Sequence, residues 1–344
     1  GSYAGEDPLL CDRGITRMLK NKEGFKLKLD VSKYAIVVEM IIIFAVFALF
    51  SKGMFLTNTN INNLILQTCT YALMGCSMVY VMVIGGIDLS AGSIVGLTGG
   101  IACMAMTYLN LPVPVALILG VLVGAVCGLI NGLLITKLDL IPFIATLGGQ
   151  WVYRGALKLL NNGATITLRG TISDEALTTL TYIGNGKFLG IPVPVYLVLV
   201  MAIALNFVLR HTVFGRSVYA VGSNAETAKM SGINVQKVKL LAQSITGLMA
   251  GMAGIVMLCR MVSIQANTGE GYEFEGIFAS GGVSMAGGEG TIFGAVIGAL
   301  VVAVLRNGLN LNGINSFWQQ VILGVLVLVV VYVDTRKTKK KRSV

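Results

Sequence analysis

Val115–Ile135 reads VALILGVLVGAVCGLINGLLI, a run without a single charge in which Asn131 is the one amide. At 1.5 Å per residue, a helix of that length matches the roughly 30 Å hydrocarbon core of a bilayer. Gly120, Gly124, Gly128 and Gly132 recur every four residues, so they share one helix face on which a second backbone can approach closely. Nine further apolar runs lie around this one: Tyr34–Phe50, Leu64–Ile84, Ser90–Tyr108, Pro142–Leu160, Val193–Leu209, Val238–Leu258, Phe274–Met285, Ile292–Leu309 and Phe317–Val333. Phe274–Met285 is too short and glycine-rich to cross alone, and reads as a broken or re-entrant segment packed within protein. The expected fold is all-α and polytopic, with about ten transmembrane helices including short or broken segments.

Composition agrees with that reading. The chain of 344 residues is 55% apolar and 12% charged, with mean hydropathy +0.80, against roughly 25% charged in soluble domains. Orientation follows from the Lys and Arg residues. With the N-terminus inside, the inner segments carry 7 (Arg13 to Lys33), 1 (Lys137), 5 (Arg210, Arg216, Lys229, Lys237, Lys239) and 6 (Arg336 to Arg342), which is 19 of 26. That excess places both termini in the cytoplasm. Three regions are expected: a polar N-terminal segment 1–32 without the look of a signal peptide, a membrane domain 33–335, and a basic tail 336–344 set against the anionic inner leaflet. The net charge of +10 is thereby assigned to the membrane rather than to nucleic acid.

Catalytic chemistry finds little support. The six cysteines form no CxxC pair, His211 is the single histidine, and no phosphate-binding GxxxxGK[ST] loop, HExxH or GxSxG motif occurs. No enzyme activity, metal or cofactor is expected in this chain, and an ATP site for uphill transport belongs to another polypeptide. The informative polar residues are local. In Gly85–Gly92 (GGIDLSAG), Asp88 or Ser90 can cap the following helix or gate it, and Gly281–Gly288 is a weaker echo. Glu39, Arg154, Lys158, Arg260, Glu273, Glu275 and Arg306 are expected mostly to snorkel from helix ends, with Glu273 and Glu275 forming an ion pair near Arg260. Gly247, Gly251 and Gly254 supply a second small-residue face, and Gly294 and Gly298 repeat the spacing.

Two loops are long. The outer one, Asn161–Pro192, is polar and reads equally as a solvated connector or a docking surface. The inner one, 212–237, contains Asn224-Ala225-Glu226-Thr227-Ala228-Lys229-Met230, with an N-cap, an acidic first turn and a Ser231-Gly232 stop, which predicts a short helix along the membrane surface.

Five motifs carry a family resemblance. Gly86-Ile87-Asp88-Leu89-Ser90-Ala91-Gly92-Ser93, Pro142–Gly148, Phe214–Asn224, Ser231–Val235 and Gly271–Ile277 closely resemble the inner-membrane permeases of bacterial ABC importers for ribose, xylose and galactosides. They occur in order across about residues 34–335. Two mild departures are Gly222-Ser223-Asn224, where the family often has Gly-Gly-Asn, and Glu275, where it often has Asp. The resemblance implies a multi-pass inner-membrane permease, paired with a second copy or a close homologue. It implies a sugar-type ATPase inside, which holds ATP and Mg, and a periplasmic or lipid-anchored sugar-binding protein outside. It maps the ATPase-coupling helix onto Asn224–Met230 and marks Gly86, Asp88, Ser90, Glu273 and Glu275 as motif residues for gating. Tyr71, Trp151, Asn310 and Trp318, near outer helix ends, are candidate contacts for a hydroxylated solute. A ribose-like pentose is the favoured cargo. The rival reading is an ion-coupled secondary carrier, which requires an acid or cation site at the membrane midplane.

Overall fold

The computed structural model describes residues 31–51, 53–280, 283, 287–325, 328, 329 and 332. The polar segment up to residue 30, the tail 336–344 and most of the Gly281–Gly288 echo lie outside the described residues. The chain divides into Gly1–Ala35 and Ile36–Val344, and the packing below is that within the second unit.

Thirteen helices are described. They are α1 (Val31–Phe50), α2 (Asn58–Val83), α3 (Ala91–Tyr108), α4 (Val113–Lys137), α5 (Pro142–Leu160), α6 (Asp174–Asn185), α7 (Val193–His211), α8 (Val213–Ser223), α9 (Ala225–Met230), α10 (Val235–Met261), α11 (Tyr272–Ala279), α12 (Ile292–Leu311) and α13 (316–325). Four two-residue strands accompany them: β1 (Ile166–Thr167), β2 (Lys187–Phe188), β3 (Ile191–Pro192) and β4 (Ser263–Ile264). Among the described residues, α2, α3, α4, α7, α10 and α12 are long and apolar enough to cross a membrane.

The predicted apolar runs fall on helices where their residues are described, with most boundaries agreeing within a few residues, and the ends of Phe274–Met285 and Phe317–Val333 lie outside the described residues. At α2 the helix begins six residues before its run, because Thr57 caps the polar Asn58–Asn63 turn by accepting the Asn60 N–H at 3.4 Å. The eighth run is α11, eight residues and so about 12 Å long. It stops within the bundle: a Cβ on Gly75, two-thirds of the way along α2, would lie 2.7 Å from Ala279 Cβ.

The bundle is organised around α2, which is buried continuously from Cys69 to Val83. Asn60 and Asn307 join it to α12 by reciprocal amide hydrogen bonds of 2.9 and 2.8 Å, the kind of polar link that fixes helix partners in lipid. The tightest seam is α4 on α10. A Cβ on Gly128 would lie 2.7 Å from Gln243 O, one on Gly124 would lie 2.6 Å from Gly247 O, and one on Gly247 would lie 2.4 Å from Gly124 O. The glycine faces read from sequence thus meet each other. On the opposite side of α4, Ile118, Leu122, Val126, Leu129 and Leu133 are exposed. Small residues inside and branched residues outside is the arrangement suited to lipid, where burial of apolar side chains offers no driving force and close backbone packing does.

The two long loops are structured beyond expectation. The outer one contains α6, whose Ser173 Oγ accepts the Ala176 N–H at 3.3 Å. Gly184 of α6 lies against the Cys259 and Arg260 backbone, and Asn185 Nδ2 donates to Arg260 O at 3.0 Å. β1 pairs antiparallel with β4, Ile166 opposite Ile264. This connector is therefore bound to the end of α10. The inner loop contains two helices where one was expected, α8 preceding α9.

Candidate functional site

The first polar centre lies in the α2–α3 connection. Gly85, with φ +78°, and Gly86 turn the chain so that Asp88 is fully buried. Asp88 Oδ1 accepts the Ser90 N–H at 2.8 Å and the Ser90 hydroxyl at 2.6 Å, while Gln243 Nε2 of α10 donates to Asp88 Oδ2. Ser90 Oγ in turn accepts Asn131 Nδ2 of α4 at 2.7 Å, and Tyr153 OH of α5 donates to Asn131 Oδ1 at 2.9 Å. Thr146 Oγ1 accepts the Leu89 N–H at 3.2 Å. Asp88 does not cap α3 itself but binds its N-cap residue, Ser90, and is the centre of a network spanning α3, α4, α5 and α10. Asp88 sits outside the spanning helices, and burial pushes its carboxyl up to about 6 against the lowering effect of the Ser90 and Gln243 hydrogen bonds.

The second centre is α11, which carries its two carboxylates towards different neighbours. Glu273 faces α3 and α5: its Oε1 accepts Gln150 Nε2 at 2.9 Å, and its Oε2 occupies the space a Cβ on Gly92 would take. Arg154, close to Glu273, donates to Thr268 O through Nη1. Glu275 faces α2 and α12, where it pairs with Arg306 and lies beside Tyr71. Two expectations are corrected here. Arg154, Glu273 and Glu275 do not snorkel, because each is buried against a partner on another helix. The ion pair joins Glu275 to Arg306, not to Arg260, whose Nη1 donates to Leu66 O at 3.2 Å. A charge at bilayer depth costs about 2.5–3.5 kcal/mol, which pairing with Arg306 offsets.

The four residues assigned to a solute path are not brought together. Tyr71 is buried and meets Tyr272 edge to face at 5.4 Å. Trp151 is 74% exposed, Trp318 is exposed on α13, and Asn310 is exposed near the end of α12, where its Oδ1 accepts Gln319 Nε2 at 3.4 Å. Arg306, Tyr272, Gln243 and Asn131 were missed as partners; Asn131, the one amide in an apolar run, was the visible signal.

The third centre is on the inner loop. Asn224 caps α9, accepting the Thr227 N–H through Oδ1 at 2.9 Å. Ala225, Glu226, Thr227, Lys229 and Met230 are exposed, Met230 to 89%. Ala228 is buried against the protein's own core, so it supplies no outward surface. α8 anchors the loop to α2. Phe214 stacks on Tyr80 at 6.0 Å, a Cβ on Gly222 would strike Val83 O, and Gly288 N donates to the same Val83 carbonyl at 2.8 Å. Tyr219 OH donates to Gly290 O at 2.7 Å.

Known proteins similar in sequence can be set beside that geometry. Ribose import permease protein RbsC of Escherichia coli K12 is 36% identical over 302 residues, covering 87% of this chain and 92% of the relative. The protein of the same name from Bacillus subtilis 168 is 40% identical over 83% of this chain and 87% of the relative. Xylose transport system permease protein XylH of Haemophilus influenzae is 33% identical over 92% of this chain and 100% of the relative. No solved structure matches the chain. The family model described as "Branched-chain amino acid transport system / permease component" matches residues 60–331, from the first turn of α2 past α13. The chain belongs to this family, the multi-pass inner-membrane permease subunits of ABC importers, in which a separate ATPase hydrolyses ATP.

Proposed function

We propose that this protein is the translocation subunit of a monosaccharide importer, with a ribose-like pentose as cargo, working by alternating access under a separate ATPase. The observation that carries the reading is identity of 33–40% to ribose and xylose permeases over at least 83% of the chain. The functional unit is a pair of permease chains, homodimeric or with a close homologue, receiving sugar from an external binding protein. In a reconstituted complex, sugar-loaded binding protein is expected to raise ATP hydrolysis several-fold, and the permease alone is expected to bind no ATP. Import of ribose that proceeds unchanged without ATP would refute the reading and favour an ion-coupled carrier.

The orientation proposed is N-in and C-in. The support for it is the excess of Lys and Arg in the segments assigned to the inside, 19 of 26. A cysteine introduced at Asp174 is expected to react with an impermeant maleimide added outside, and one at Glu226 to be protected. The reverse labelling would invert the topology.

Within this reading α9 is the coupling helix. Its exposed Glu226 and Lys229 are three residues apart and share a face, and α8 connects that face to the end of α2. Glu226→Lys is expected to lower coupled transport at least fivefold through lost assembly or uncoupled hydrolysis. Stability should change by less than about 0.5 kcal/mol, as for other surface substitutions. Wild-type transport by this variant would reduce α9 to a connector. Gly86, Asp88, Ser90, Glu273 and Glu275 are assigned to gating, through the two buried centres that hold α3 and α11.

A further inference from the structure

The pair Glu275–Arg306 differs from the Asp88 centre in one respect. Asp88 and Asn131 have their hydrogen-bonding capacity taken up by neighbouring helices. Glu275 is wholly buried, whereas its partner Arg306 keeps 27% of its side chain exposed, and the buried Nε of Arg306 has no hydrogen-bond partner. Tyr272 and Glu275 lie in the first turn of α11, an eight-residue helix too short to cross a bilayer, and helix ends within the membrane are where transporters place solute sites. A charged side chain left partly open there needs water or a polar ligand rather than lipid.

The neighbouring side chains define what ligand would fit. Tyr71 of α2 and Tyr272 of α11 meet edge to face at 5.4 Å, and Tyr71 lies beside Glu275, both of whose carboxylate oxygens are buried without a hydrogen-bond partner. The set offers a carboxylate acceptor, a planar guanidinium donor, two phenol hydroxyls and two aromatic edges. The carboxylate and guanidinium cancel in charge, which suits an uncharged ligand. Vicinal hydroxyls on a ring accept from a guanidinium and donate to a carboxylate, while the ring C–H face packs on aromatic carbon.

We propose that Tyr71, Tyr272, Glu275 and Arg306 form an intramembrane contact for the passing monosaccharide, an uncharged polyhydroxylated ring. This rests on the sugar-permease reading and adds to it: the permease itself reads sugar hydroxyls, independently of the external binding protein. Trp151 and Trp318 are excluded by their outward positions.

The test is ATP-driven uptake by the full complex in liposomes, comparing D-ribose with 2-deoxy-D-ribose at concentrations that saturate one binding protein. A site that hydrogen-bonds a hydroxyl discriminates against the analogue lacking it. Glu275→Gln, Arg306→Lys and Tyr272→Phe are therefore expected to change the ratio of the two rates by roughly threefold or more. If all three slow both sugars in equal proportion, the pair is only a brace between α11 and α12 and the proposal is overturned. Full recovery of wild-type rate and ratio by Glu275→Arg combined with Arg306→Glu would overturn it equally, since a brace tolerates reversal and a directional contact does not. If Glu275→Gln fails to fold, Tyr272→Phe, which removes one hydroxyl and keeps the ring, decides by the same ratio. Failure of the underlying reading is seen separately, as a wild-type complex that imports neither sugar with ATP.

Discussion

Gly247→Val is expected to destabilise the folded protein by about 3 kcal/mol or more, at the upper end of overpacking costs. A Cβ at this position would lie 2.4 Å from Gly124 O and 2.5 Å from both the Cα and the N of Gly128. All three are backbone atoms of α4, so no side-chain rotation relieves the clash and the two helices must separate along the seam. Separation also pulls Gln243, one turn earlier on α10, away from Asp88. The measurement is the unfolding midpoint of purified protein in detergent. Gly155→Ala is the control: nothing lies within 4 Å of a Cβ there, so the gain in helix propensity, up to about 1 kcal/mol, is expected to leave stability unchanged or raised. If both variants melt like wild type, the α4–α10 seam is not closely packed.

The second large effect is at Asp88. Asp88→Ala removes the acceptor for the Ser90 N–H, the Ser90 hydroxyl and Gln243 Nε2, and leaves these donors in a site closed to water. Each unsatisfied buried group costs about 1–3 kcal/mol, so a loss of about 3 kcal/mol or more is expected, together with loss of transport. Asp88→Asn separates geometry from charge. Its Oδ1 still accepts from Ser90, and its amide donates to Gln243 once that side chain rotates its amide to present oxygen. Recovery of most of the stability in Asp88→Asn is therefore expected. Equal damage in both variants would mean that the negative charge, and not the hydrogen-bond set, holds the connection.

Much of the architecture was legible because lipid makes it a local property. A membrane helix must satisfy its own backbone, so a sufficiently long apolar run is a helix whatever it packs against. The run Pro142–Leu160 coincides with α5, and Ser90–Tyr108 differs from α3 by one residue. The amphipathic helices were less visible, since α6 and α8 mix polar and apolar residues without a long run. Even so, α6 carried a readable signal in Ser173-Asp174-Glu175, an N-cap followed by an acidic first turn. The local contact of Asp88 with Ser90 was within reach of the sequence, but its burial was not, because that depends on α4, α5 and α10.

Sequence by itself determined the helix-rich membrane class, the short broken character of α11, the small-residue faces of α4 and α10, and the family. Each depends on spacing within one segment, or on residues recognised in order. Tertiary structure decided which polar groups meet. Glu275 and Arg306 are 31 positions apart, Asp88 and Gln243 are 155, and nothing local distinguishes Arg306 from Arg260 as the partner of a carboxylate. It also decided that Ala228 faces inward and Met230 outward on a helix of six residues. The physical reason is that a buried charge is tolerable only where another helix supplies its counter-ion or hydrogen bonds, and that supply is set by how the helices pack.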